Sequence, residues 1–156
     1  MLRELPWVRF WCAGALVALL DGAFAIAVYA WVLRVATATQ VFQSIAVAFL
    51  GGASYRGGMA SAALGIGMHV GIAFGWTLAY ALLWTAAGSL RELTSSTAGV
   101  LVAGAVFGCG VWLIMDLVLV PLTRARATPA ASSLFFVMLA WHAVGVGWPI
   151  ALLLRR

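Results

Sequence analysis

Charge is what this chain has least of. Only 8% of its 156 residues are Asp, Glu, Lys or Arg, where soluble domains carry roughly 25%. Lysine does not occur, and the nine basic residues are all arginines. A chain this poor in polar side chains cannot clothe a soluble core, so the soluble globular class is excluded. The formal net charge of +5 does not support nucleic-acid binding either, because the arginines fall at the ends of apolar runs and between them, not as a stripe on one polar face. Cysteine is nearly as scarce. Cys12 and Cys109 both lie inside apolar runs, which suits small packing residues and excludes a secreted disulfide framework or a metal-type spacing. Also missing are the patterns on which common enzyme sites are built: a phosphate-cradling glycine loop behind a strand, a nucleophile motif with Ser, His and Asp, or paired histidines at metal spacing on one helix. The sequence therefore reads as non-enzymatic.

What is present is apolar length. Hydrophobic residues make up 65% of the chain, and four runs, at about 7–33, 59–87, 97–120 and 130–154, can each cross a hydrocarbon core about 30 Å thick. The expectation is an all-α, four-transmembrane-helix bundle forming a single domain over 1–156. The first run follows Arg3 and Arg9 as a signal peptide would, but it is too long for one and carries Asp21, so it reads as a true span. Pro6, Trp7 and Trp11 begin it as an interfacial anchor, and Trp31 with Arg34 closes it.

The connection after span 1 is too long for a turn. Within it 40–50 reads as a short helix behind Thr37 or Thr39 as N-cap, ended by Gly51 and Gly52. It is too short to cross, so it belongs in the interface or re-enters the membrane, with Gln43 and Ser44 as its polar side chains. Span 2 carries Gly67, Gly71 and Gly75, a small-residue ridge that permits close approach of a neighbouring helix, while His69, Ala73, Trp76 and Tyr80 fall on the other side. After a turn at 88–96, capped by Ser95 or Ser96, span 3 repeats the spacing with Gly104 and Gly108 and stops at Pro121. Thr128 and Pro129 are the expected cap and first residue of span 4, where Pro149 leaves the Gly145 carbonyl without its usual donor.

Four ionisable residues sit inside these spans: Asp21, His69, Asp116 and His142. A carboxylate at the centre of a membrane helix costs about 2.5–3.5 kcal/mol on insertion scales, so such residues pair, face inward and mark a candidate site. Counted from the span ends, both histidines lie roughly 15–18 Å deep and Asp21 near the same level, with Asp116 closer to one surface. The set admits three chemistries. It can fix helix register or recognise a partner helix; it can relay protons or bind a transported ion; or the two histidines can ligate a b-type haem, or serve a quinone carrier.

The order of features has a counterpart. Asp21 in the first span, then Val41-Phe42-Gln43-Ser44-Ile45-Ala46, Gly51, Gly57-Gly58, Leu64-Gly65 and Met68-His69, then Met115-Asp116 with Pro121 and His142 with Pro149, resembles a group of small four-span bacterial inner-membrane proteins. A more distant similarity is to the YagU-like inner-membrane proteins. The resemblance spans nearly the whole chain and implies a bacterial inner membrane and four helices, but no activity. In the closer group the position of Asp116 is more often Asn, a departure that weighs against a role needing fixed charge there.

The sequence thus predicts a non-enzymatic accessory or assembly subunit of a larger membrane complex, or a self-associating protein, whose surroundings are lipid and other membrane subunits or copies of itself. A small transporter or proton conductor using the four ionisable residues is second, and a haem or quinone carrier third. The arginines divide five to four between the two sides, Arg3, Arg9, Arg91, Arg155 and Arg156 against Arg34, Arg56, Arg124 and Arg126, which mildly favours cytoplasmic termini.

Overall fold

A computed structural model describes residues 7–130 and 132–155; Arg3, Pro6 and Arg156 lie outside the described residues. Helix α1, Trp7–Ile26, continues through a π-helical stretch, Ala27–Val32, and together they form span 1. It ends at Arg34, which adopts a left-handed conformation (φ 55°) and lets the amides of Val35 and Ala36 reach back to the Tyr29 carbonyl.

Helix α2, Ala38–Leu50, takes Thr37, the first of the two candidate caps, and begins two residues before the expected 40–50. The Thr37 side chain accepts from the Gln40 amide while the Gln40 side chain accepts from the Thr37 amide, a reciprocal capping box. A 3-10 turn, Gly51–Arg56, bracketed by left-handed Gly51 and Gly58, leads into α3, Gly58–Ala86, which is span 2. The chain then makes a short helix, α4, Gly88–Leu93, where only a turn was expected, before Ser96 caps α5, Thr97–Ile114, through the Gly99 amide. Span 3 runs on through a π-helical stretch, Met115–Leu119, and a 3-10 turn, Val120–Leu122, around Pro121.

Span 4 begins later than the sequence suggested. Ser132, not Thr128, caps α6, Ser133–Trp141, by accepting from the Phe135 amide; the Thr128 amide is already engaged by the Asp116 carboxylate. A π-helical stretch, His142–Gly147, then joins α6 to α7, Trp148–Leu154. Pro121 and Pro149 lack the amide that would continue the regular ladder, and in both spans the wider π register lies just ahead of the proline.

The four helices are long and apolar enough to cross a membrane, and the chain is an all-α, multi-pass membrane protein. Arg9 donates to the Arg155 carbonyl (2.8 Å), and Arg124 donates to the Phe49 carbonyl (3.2 Å). The start of span 1 and the end of span 4 therefore share one side, and the first and third connections share the other.

The glycines divide in a way the sequence did not indicate. A Cβ on Gly108 would meet the His142 carbonyl, one on Gly147 would meet the Gly104 carbonyl, and one on Gly104 would stand 2.8 Å from the Gly147 carbonyl. Spans 3 and 4 are interlocked there by their backbones. Gly67, Gly71 and Gly75, by contrast, have nothing within 4 Å and point outward. In span 2 the packed face is the opposite one, with Ala73, Thr77 and Tyr80 buried, and the glycine in close contact is Gly65, against the Phe42 carbonyl of α2. The expected ridge is therefore not an internal packing surface. Between lipid and another apolar helix a small-residue stripe finds equally apolar surroundings, so spacing alone does not decide which it faces.

Candidate functional site

The four ionisable residues do not converge. Among the described residues no three His, Cys, Asp or Glu side chains lie close enough to share a metal ion, and the set separates into three places.

Asp21 and His69 share the first. Both are half-buried and both line a cavity of about 650 Å³ between span 1, α2, span 2 and the third connection. Asp21 Oδ1 accepts from Trp141 Nε1 at 3.0 Å, and Trp141 is held for that bond by flat stacking on Phe24, ring centroids 4.0 Å apart and planes within 4°. His69 Nε2 lies 2.9 Å from the Ala18 carbonyl. A carbonyl only accepts, so Nε2 carries the hydrogen, and in the neutral ring Nδ1 keeps its lone pair. Phe42 meets the His69 ring edge-on (6.1 Å), and a side chain at Gly22 would press on that ring, its Cβ 3.3 Å from Nε2. Tyr29, Gln40, Ser44, Tyr55 and Arg126 complete the polar lining.

Asp116 occupies the second place. It is 4% exposed, its Oδ1 accepts from the Thr128 amide at 3.0 Å, and its Oδ2 has no partner. Tyr29 lies within electrostatic reach of it and contacts the Thr128 side chain, so one tyrosine borders both the cavity and the Asp116 site. The bond to Thr128 closes the third connection back onto span 3 and holds Arg126, two residues earlier, beside the cavity. An unpartnered oxygen on a buried carboxylate is costly, and an ordered water is the usual remedy. Trp112 Nε1, one helical turn before Asp116 on the same span, is buried and unpartnered as well.

His142 is the third. Its Nδ1 lies 2.8 Å from the Met138 carbonyl one turn back, and its ring packs at 4.8 Å on Trp112. It is buried and does not line the Asp21–His69 cavity. A bis-histidine haem does not fit this arrangement: the Nε2 of His69 is taken by Ala18, and the two imidazoles lie in different packing environments rather than across one gap.

The helix α2 polar residues also have distinct roles. Gln43 is buried and donates to the Gly58 carbonyl (3.0 Å) and Ser61 hydroxyl (3.2 Å), while Ser54 donates to the Gln43 carbonyl (2.6 Å) and Ser61 to the Ser54 carbonyl (2.6 Å). This knot pins α2 to the start of span 2 and so forms one wall of the cavity. Ser44, whose hydroxyl donates to the Val41 carbonyl, faces the cavity instead.

Sequence reasoning missed Trp141, Tyr29, Phe42 and Arg126 as members of the site. Trp141 carried a usable signal: an indole mid-span, away from the interfaces where tryptophan normally collects, needs a polar partner for its N–H.

No family model, curated protein or solved structure matches this chain.

Proposed function

We propose that this chain is a non-enzymatic bacterial inner-membrane protein that takes a small solute into the cavity between span 1, α2 and span 2, with Asp21 and His69 as its binding groups. The observation that supports it is their joint position on one open cavity of about 650 Å³, within the roughly 300–1,000 Å³ typical of small-molecule sites. A structural pair would be buried against its own partners. Here Asp21 and His69 are each held by one hydrogen bond and remain partly exposed to the cavity. Both stand about 16 Å from the nearer span ends, by the 1.5 Å rise per residue, which is the depth at which transporters place substrate and coupling-ion groups.

The test is native mass spectrometry of the protein extracted from its own membrane in mild detergent. A small adduct retained by wild type and lost from Asp21→Asn supports the reading. A protein that carries no adduct, or one whose adduct is unaffected by that substitution, contradicts it.

A second reading has its own observation. The outward ridge of Gly67, Gly71 and Gly75 leaves helix backbone accessible along span 2, which suits docking of another membrane helix and hence an accessory or self-associating subunit. The same spectra address it: a stoichiometric protein partner, or a second copy, displaced by Gly71→Leu supports docking, and an unaltered monomer opposes it.

A further inference from the structure

We propose that the cavity selects a small organic cation, an ammonium-bearing solute whose charged end lies against Asp21; this rests on the cavity being a binding site. The argument begins with an unbalanced charge. Among the described residues Asp21 is paired with no cationic side chain, and its one polar partner is the Trp141 indole, a neutral donor that supplies a hydrogen bond and no charge. A carboxylate at mid-span depth without a counter-ion is the feature that a bound cation corrects.

The surroundings point the same way. The titratable and charged groups on the cavity are Asp21, Tyr29, Tyr55, His69 and Arg126. His69 spends its Nε2 hydrogen on the Ala18 carbonyl, so the neutral ring has only an acceptor left to offer, which suits an ammonium N–H and not a carboxylate. Ser44 adds a hydroxyl oxygen to the wall, while the Gln40 side-chain oxygen is engaged by the Thr37 amide. Tyr29, Phe42 and Tyr55 place aromatic rings along the lining, and ring faces attract organic cations. Arg126 is the exception. It belongs to the third connection and is exposed to solvent, where its charge is screened, whereas Asp21 lies about 16 Å inside span 1. A solute that passes a solvent-screened arginine to reach a carboxylate deeper in the span, where screening is weaker, is bound by the carboxylate.

Three probes of one shape separate charge from fit: benzylammonium, benzyl alcohol and benzoate, titrated into the purified full-length chain in mild detergent and followed by tryptophan fluorescence and thermal stability. Benzylammonium is expected to bind about tenfold tighter than benzyl alcohol, with benzoate weakest. Asp21→Asn removes that preference. Ala25→Leu, which keeps Asp21 and fills the cavity wall, weakens all three and serves as the second variant should Asp21→Asn fold poorly. Tightest binding of benzoate overturns the cation assignment and leaves the cavity as a binding site governed by Arg126. Equal binding of the three, unaffected by Ala25→Leu, overturns both.

Discussion

The two halves of this bundle are built on opposite terms. In spans 3 and 4 the most apolar stretches have 39% and 44% of their residues buried within the protein, against 17% and 22% in spans 1 and 2. The difference lies in how backbone meets backbone. Gly104, Gly108 and Gly147 bring spans 3 and 4 into direct main-chain contact, whereas spans 1 and 2 meet at mid-depth through the His69 side chain on the Ala18 carbonyl, border a cavity there with α2, and turn the glycines of span 2 outward. The close-packed half lends the open half its order: Trp141 reaches from span 4 to Asp21, and Asp116 reaches from span 3 to Thr128 and so positions the third connection. Even span 1 is not uniformly loose. Beyond Asp21, Phe10 and Trp11 pack on Phe74 (5.8 and 5.2 Å) and Gly14 lies directly under that ring.

The largest break in this contrast is expected at the seam. Gly108→Leu forces a side chain into the His142 carbonyl and should destabilise the protein by about 3 kcal/mol or more, while Gly71→Leu, with open space around it, should change the thermal unfolding of the detergent-solubilised monomer by less than about 0.5 kcal/mol. Equal effects at the two positions would erase the distinction between the halves.

Next come the polar ties. Gln43→Ala removes two donors to Gly58 and Ser61 and should cost about 1–2 kcal/mol, read locally as faster amide exchange over 38–58 with spans 3 and 4 unchanged. Asp116→Ala strips the Thr128 amide of its acceptor and should cost about 1–2 kcal/mol, while Asp116→Asn, which keeps an oxygen for that amide, should recover most of it in the same unfolding assay. If Asn is as damaging as Ala, the charge of Asp116 matters and the tie to Thr128 is not its role.

The smallest stability change is expected where function is proposed. Asp21→Asn keeps an acceptor for Trp141 and relieves an unpaired charge, so its unfolding midpoint should match or slightly exceed wild type while adduct binding is lost. A large loss of stability on this change would make Asp21 a structural residue.

Much of this architecture could be read from the chain before any coordinates. Four apolar runs announce four spans because their length is set by the bilayer. A threonine cap at Thr37 or Thr39 announces α2 because a cap is a local device, and Gly104 with Gly108 marks a close crossing. The site was less legible for definite reasons. The outward face of span 2 carries no polar stripe, since lipid is as apolar as a neighbouring helix, so Gly67, Gly71 and Gly75 read like the seam they are not. Asp21 announced itself as a mid-span charge, but its partner Trp141 lies 120 residues away, and only the packing of span 4 on span 1 brings them together. Matching depths of Asp21, His69 and His142, with Asp116 a turn or two away, suggested one cluster. Depth is only one coordinate, and the direction in which each residue faces around its helix separates them. His142 turns to Trp112 and Asp116 to Thr128.

The most direct test of the account is the water accessibility of the cavity floor. With Cys12 and Cys109 replaced by Ser, Ala25→Cys and Ala151→Cys place one thiol beside the cavity and one on the buried seam between spans 3 and 4, against Gly104. Reaction with a charged, water-soluble thiol reagent should modify the first within about tenfold of the rate at an exposed loop position and leave the second unmodified in the folded protein. Equal inertness at the two positions would mean that the space around Asp21 and His69 is closed packing, and the binding site proposed here would not exist.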